Sequence, residues 1–327
     1  MSRSRGDAGI VVGVDFGHTH LRVAIGNLAH RVLAEEAEPL DVDASAAQGL
    51  DRAEHLVNTL IAKAGISRDK IVGVGLGVPG PIDVESGVLG STAILPGWAS
   101  TNPRDDLSAR LGVPVYVDND ANLGALGELV WGAGRGATDL AYIKVASGVG
   151  AGLVIKGQIY RGPGGTAGEI GHITLDESGP VCRCGNRGCL ETFTAARYVL
   201  PLLHSAHGTD LTVARMVQLA KDGDPGCRRV IVDVGLGISA AAWRTCATCS
   251  IRAVSCSAAT SRTPASWCSR RSANPSRGTR SPAPHGSWRS SRAPSAAARR
   301  CSARSRSCSA RWAIPPCWTR RPRLGRP

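Results

Sequence analysis

Ile10-Val-Val-Gly-Val-Asp15-Phe-Gly17-His18-Thr19-His20-Leu21-Arg-Val-Ala-Ile25 reads as an apolar strand, a glycine-containing turn and a second strand. Short apolar runs bounded by turn formers are the pattern of a strand pair. A stretch of the same design recurs at Leu140-Ala-Tyr-Ile-Lys-Val-Ala-Ser147-Gly148-Val-Gly150-Ala-Gly152-Leu-Val-Ile155, with strands expected at Leu140–Ala146 and Gly152–Ile155. Two halves that each open on a strand pair and a Gly-rich turn predict two lobes around a cleft, the usual place for a small ligand.

Working outward, a third strand is expected at Arg31–Ala34. Ala44–Ala64 carries Leu50, Ala53, Leu56, Val57, Leu60 and Ile61 at helical spacing and stops at Gly65, a good C-cap. Ile71–Val78 and Val113–Val117 read as strands; Thr101–Leu111 and Asp120–Leu129 read as helices. Further helices are expected at Thr194–Ala206 and Leu211–Lys221, and Asp224–Ile238 starts another that the tail interrupts. Strands alternating with helices in this order give an α/β class with a mainly parallel sheet.

The charge is unevenly placed. The chain has 327 residues and a net charge of +13, yet its last acid is Asp233. Residues 1–242 hold 21 Lys and Arg against 26 acids, a balance of −5, whereas 243–327 hold 18 Arg and no acid. The basic pI therefore belongs to the last quarter alone, which excludes a uniformly basic nucleic-acid-binding globule. In that quarter the large aliphatics are Ile251, Val254, Ile314 and Leu324. Such a segment has too little apolar area to offset chain entropy, so disorder is expected there, as for residues 1–9. Seven of the eleven cysteines also lie in it, an odd number with no secretory signal ahead of them. No apolar run of about 18 residues exists, so no membrane span is expected and the cytoplasm is the default location.

His172, Cys182, Cys184 and Cys189 follow one another at intervals of ten, two and five residues, with Gly185 and Gly188 inside the cysteine loop. Three sulfurs on a glycine-turned loop and one imidazole make a closed structural zinc set. The alternatives are four unrelated residues or a Cys182–Cys189 disulfide, and the disulfide is disfavoured in a reducing compartment. Val117-Asp118-Asn119-Asp120-Ala121-Asn122 ends a strand and begins a helix, at the carboxyl edge where α/β sheets bind ligands. There Asp120 is placed to take a proton from a hydroxyl with Asn119 bonding its neighbour, or else either residue merely caps the helix. Glu169, His172 and Glu191 gather beside the cysteine loop and suit a grip on vicinal sugar hydroxyls. The two turns, with Asp15, Gly17 and Thr19 in one and Gly148 and Gly150 in the other, could point N–H groups at an anion.

Together these residues resemble the ROK family of sugar kinases and sugar-responsive repressors, from about Ile10 to about Ala241. The resemblance is carried by Gly77-Val-Pro79-Gly80-Pro81-Ile-Asp83, Leu95-Pro96-Gly97-Trp98, Asn119-Asp120-Ala-Asn122, Ala167-Gly168-Glu169-Ile-Gly171-His172 and Cys182-Arg-Cys184-Gly-Asn-Arg-Gly-Cys189-Leu-Glu191. It implies a two-lobed, actin-like ATPase (ribonuclease H-like) fold with a first lobe over 10–118 and a second over 119–241. It places Asp120 on the catalytic base, Asn119, Glu169, His172 and Glu191 on the sugar, and His172, Cys182, Cys184 and Cys189 on zinc. Kinases of the family carry Asp-x-Gly-Gly-Thr-Lys at the first turn. Here His18 replaces the second Gly, His20 replaces the Lys, and Ser147 stands for a Thr in the second turn. These departures point to the repressor branch, a sugar-sensing domain with a hexose or hexose derivative as ligand. The alternative is an ATP-dependent hexose kinase, with ATP and Mg²⁺ as its cofactors. About nine residues precede the first strand, so DNA is expected only through a helix-turn-helix absent from this chain. The family's dimers and tetramers imply a homodimer if the C-terminal helices are in place.

Those helices are the difficulty. The family continues past Gly237 with a Leu-x-Asn-Leu-x-Asn-Leu helix and an adenosine-holding Gly-Gly turn. If the Ala242 codon ends in C and the next codons are TGG-CGA-ACC-TGT-GCA-ACC-TGT-TCA-ATC, a one-base slip rereads Trp243-Arg-Thr-Cys246-Ala-Thr-Cys249-Ser-Ile as Leu-Ala-Asn-Leu-Cys-Asn-Leu-Phe-Asn. Residues 242–327 are therefore expected to be a basic tail translated out of frame, leaving the C-terminal part of the fold disrupted. The rival is a basic arm for nucleic acid or membrane, which needs only charge.

Overall fold

The computed structural model describes residues 9–90, 93–249 and 253–258, with side chains described as far as residue 238. The chain divides into two compact units, Met1–Ala273 and Asn274–Pro327, and all described residues belong to the first. The expectations for residues 1–8 and 259–327 lie outside the described residues.

β1 (Ile10–Gly17), β2 (His20–Asn27), β3 (Val32–Pro39), α1 (Ala46–Lys63), β4 (Ile71–Val78), the short pair β5 (Ile82–Asp83) and β6 (Val88–Leu89), α2 (Pro103–Leu111) and β7 (Val115–Asn119) make the first lobe. Its sheet has the order β3-β2-β1-β4-β7. β1, β2 and β3 pair antiparallel, and only β1, β4 and β7 run parallel, so the sheet is mixed rather than mainly parallel. The cause is local: His18 and Thr19 alone join β1 to β2, and so short a link can only reverse the chain.

α1 buries the six residues whose spacing predicts it, and the Ser45 side chain caps its start by accepting from Gln48 N at 3.3 Å. Trp98 is buried beside Phe16, ring centroids 5.1 Å apart and edge to face, and its indole N–H donates to Val42 O at 2.7 Å. An aromatic pair with its one polar atom satisfied anchors this core.

The second lobe follows: α3 (Asp120–Val130), β8 (Leu140–Val145), β9 (Val149–Ile155), β10 (Gln158–Ile159), α4 (Leu190–Thr194), α5 (Ala196–Val199), α6 (His204–His207), α7 (Val213–Asp222), α8 (Pro225–Cys249) and β11 (Ala253–Ala258). Its sheet order is β10-β9-β8-β11, with β11 parallel to β8. Strand alternation divides the two faces. Ala141 and Ile143 pack with Leu190 and Ile238, while Leu140 and Tyr142 pack with Ala121 and Ala125 of α3.

Three expectations need correction here. The single helix over 194–206 is four short pieces, α4's end, α5, a 3-10 turn over Pro201–Leu203 and α6, because Pro201 cannot continue α5 and Ala195 is extended. The helix from Asp224 is not interrupted after Ile238: α8 runs on to Cys249, and β11 extends the sheet beyond it. The second Gly-rich stretch is mostly strand, since β9 begins at Val149 and leaves only Ala146–Gly148 as a hairpin turn. Gly152 in that strand is needed for packing: a Cβ there would lie 2.2 Å from Ala121 O of α3. Among the described residues no helix is long and apolar enough to cross a membrane.

Candidate functional site

A partly open cleft lies where the ends of β1, β4 and β7 meet the β8–β9 hairpin. Gly17, His18, His20, Asn119, Asp120, Lys144, Gly148, Gly150, Glu169, His172 and Glu191 all line it. Of the residues singled out in the sequence, Asp15, Thr19 and the three cysteines Cys182, Cys184 and Cys189 do not. The Asp15 side chain is half-exposed, with its carboxylate 3.6 Å from His20 Nε2, and Thr19 lies in the hairpin turn. Burial works against ionisation of Asp15, but hydrogen bonding by His20 and the charges of Lys144, His20 and Arg22 hold its carboxyl below the ordinary range. Both supposed phosphate turns join antiparallel strands, so neither lends a helix N-terminus to an anion.

Asn119 closes β7 and caps α3. Its Oδ1 accepts from Ala121 N at 2.8 Å and Asn122 N at 3.3 Å, and its amide donates to Gly80 O at 2.9 Å. The capping alternative thus describes what its side chain does. Asp118, which sequence reasoning passed over, accepts from Asn119 N and from Asn122 Nδ2, both at 2.8 Å. Arg161 grips its other oxygen with two nitrogens, at 2.6 and 3.0 Å. Asp118 is therefore the buried hub that orients the Asp-Asn-Asp-Ala-Asn run.

Lys144 is the decisive neighbour. Strand parity puts it on the α3 side of β8, with Leu140 and Tyr142, and its Nζ donates to Asp120 Oδ2 at 2.6 Å. Burial disfavours its charge, but Asp120 and Asp15 more than compensate and raise its pKa. A lone lysine inside the apolar strand Leu-Ala-Tyr-Ile-Lys-Val is the signal that sequence reading missed.

Glu169, Asp120 and Glu191 converge on the cleft. Burial first, then the charges of Asp120 and Glu191, push the Glu169 carboxyl up to about 7. Glu191 is buried; its Oε2 accepts from Val149 N at 3.2 Å, and its Oε1 has no partner among the described residues. A buried carboxylate oxygen left without a donor is aimed at something that brings one.

His172 looks two ways. Its Nδ1 is 3.6 Å from Cys182 Sγ, and its Nε2 is 3.8 Å from Glu169 Oε2. Cys184 and Cys189 sulfurs are 3.8 Å apart, and one atom from each of His172, Cys182, Cys184 and Cys189 lies within 4.8 Å of the others. These four residues form a group that could hold a metal ion. Burial pushes the Cys189 thiol up to about 12, with Cys184 and Cys182 adding to it. The loop depends on Gly188 at φ +57°, where a Cβ would fall 1.5 Å from Asp176 O.

A second link crosses between the lobes. His18 Nδ1 meets Asp43 Oδ1 at 2.5 Å, and Arg183, between two of the cysteines, donates to Asp43 Oδ2 at 2.8 Å. Burial opposes ionisation of Asp43, but His18 and Arg183 hold its carboxyl below the ordinary range.

With this geometry in place, the sequence matches the model of the ROK family over residues 11–257, and the chain belongs to that family. It is 33% identical over 250 residues to the xylose repressor of Caldicellulosiruptor bescii, covering 71% of this chain and 62% of that protein. It is 38% identical over 186 residues to the glucokinase of Halalkalibacterium halodurans, covering 57% of this chain and 56% of that one. The chain thus spans less than two thirds of the length of either of these curated relatives. Among solved structures it is similar to a ROK family glucokinase from Streptomyces griseus, in complex with glucose and AMPPNP. That likeness has a TM-score of 0.67 at 25% identity, over 76% of this chain and 83% of that one. The two-lobed α/β fold is therefore the actin-like ATPase fold of the ROK sugar kinases.

Proposed function

We propose that this chain is the effector-sensing domain of a ROK-type transcriptional regulator, binding a hexose or hexose derivative between its lobes without phosphorylating it. The observation that carries this reading is the Lys144–Asp120 pair. A general base must offer its lone pair to the substrate hydroxyl, and here a buried ammonium holds it at 2.6 Å. The first hairpin adds support: His20 folds over Gly17, where a Cβ would lie 2.1 Å from its ring, so imidazole covers the backbone a phosphate would approach. Similarity to a xylose repressor agrees with this. An ATP-dependent hexose kinase is the second reading, favoured by the assembled Asp120, Glu169, His172 and Glu191 and by similarity to glucokinases. ATP and Mg²⁺ belong only to that reading.

We place zinc on His172, Cys182, Cys184 and Cys189. Tetrahedral zinc with Zn–S near 2.3 Å and Zn–N near 2.0 Å spaces its ligand atoms about 3.5–3.8 Å apart. The separations of 3.6 and 3.8 Å fit that spacing. All four positions are filled by protein, so the ion would hold the loop and perform no chemistry. Buried thiols that oppose one another's ionisation are suited to a divalent cation, which binds them as thiolates.

Calorimetry with D-glucose and D-xylose, beside a coupled ADP-release assay, separates the readings. Sugar binding with no turnover supports the sensor. Turnover lost in Asp120→Ala overturns it in favour of the kinase.

The cytoplasm, and a homodimer formed by this domain, are parts of the same proposal. DNA contact would require a helix-turn-helix outside the described residues. Residues from about 242 remain proposed to be out-of-frame translation, although α8 crosses that boundary. Resequencing should find a one-base slip near codon 242; an intact frame with no Gly-Gly reading downstream in any frame sinks the idea.

A further inference from the structure

His18 does more than replace a glycine. Its side chain is only 10% exposed, and the turn carrying it is stitched to the segment before α1: Val42 N donates to His18 O and Leu40 N to Thr19 O, each at 3.2 Å. The ring is aimed by its contact with Asp43, and Asp43 is held from the opposite lobe by Arg183. With Nδ1 engaged by Asp43, Nε2 is the ring's remaining polar atom, and it makes no hydrogen bond among the described residues. It faces the cleft, 3.7 Å from the point where a Cβ on Gly148 would stand; Glu191 Oε2 lies 3.0 Å from that same point. An imidazole from the first lobe and a carboxyl from the second thus border one spot, each with a hydrogen-bonding atom turned to the cleft.

We propose that His18 is a specificity-determining residue that exchanges a hydrogen bond through Nε2 with a hydroxyl of the bound monosaccharide, beside the hydroxyl taken by Glu191. Asp43 and Arg183 are positioning residues: Asp43 sets the ring's tautomer and direction, and Arg183 ties that setting to the cysteine loop. The proposal rests on the sugar-binding reading above. It adds a ligand contact on the first lobe, so that the sugar itself bridges the lobes. An oriented imidazole with one nitrogen fixed by a carboxylate and the other presented to a ligand is a common way to fix direction in a polar site.

The test is calorimetry of D-glucose and D-xylose against the full chain, its His18→Ala, His18→Gln, Asp43→Asn and Arg183→Ala variants, with metal content and thermal midpoint followed. ¹⁵N NMR of the histidine rings accompanies it. The wild type should bind at least one sugar, and His18→Ala should weaken it by about tenfold or more, by unequal factors if both bind. His18→Gln, which keeps a polar atom near Nε2, should recover part of the loss. In the wild type the His18 Nε2 resonance should move on saturation with sugar. Asp43→Asn should shift the free ring's tautomer pattern with its metal retained. A wild type that binds sugar while His18→Ala binds equally well, or while the Nε2 resonance stays still, overturns this proposal and leaves the sugar-binding reading intact. A wild type silent to both sugars overturns the two together.

Discussion

Replacing Cys189 by serine is expected to empty the metal site and lower the thermal midpoint by about 10 °C. Cys189 is fully buried, and its sulfur is one of four donor atoms within 4.8 Å of one another. Structural zinc contributes about 10–16 kcal/mol in small peptides, so one ligand in four is worth roughly 3 kcal/mol. For a domain of this size each kcal/mol moves the midpoint by about 2–4 °C. The effect should reach the cleft, because Leu190 N donates to Ile173 O at 2.9 Å and Glu191 follows immediately. Loosening the loop therefore moves a cleft carboxyl, and sugar binding should fall below detection. Metal analysis after dialysis, calorimetry and a thermal melt check this together. Equal metal content and an equal midpoint in the variant would contradict the structural role given to the loop.

Glu191→Gln should reduce sugar affinity about 100-fold while leaving the folded chain as stable or more so. A hundredfold loss corresponds to about 2.7 kcal/mol, the order of one or two hydrogen bonds from sugar hydroxyls to a carboxylate. Stability should move the other way for a definite reason. The Glu191 carboxyl is buried, one oxygen accepts a bond from Val149 N, and the other accepts none among the described residues. Keeping a carboxylate in such a place costs free energy in the absence of ligand, and an amide of the same shape relieves part of it. A raised denaturation midpoint together with lost binding is the signature of a residue kept for its ligand. Unchanged affinity would remove Glu191 from the sugar site.

Much of this was legible without coordinates because it depends on period and spacing. The six apolar positions of α1 lie on one buried face, as a 3.6-residue period requires. The cysteine loop could be read because three thiols and an imidazole at close spacing have few other uses. The helix over 194–206 was misread because apolar content alone cannot register the break that Pro201 and the extended Ala195 impose. The second glycine run reads as a longer turn than the three residues Ala146–Gly148 for a related reason. A glycine needed for close packing against α3 looks, in sequence, the same as one needed for a phosphate.

The amino-acid order by itself determined that the protein would be a two-lobed α/β molecule with a thiol-rich loop beside a carboxylate cluster. Hydrophobic periodicity and short-range ligand spacing are local properties, and they survive in a string of letters. Only the tertiary structure decided what the acidic groups face. Lys144 reaches Asp120 across 24 positions, and Arg183 reaches Asp43 across 140. Those pairings follow from which face of a strand a side chain leaves and how two lobes close, and no local pattern encodes either.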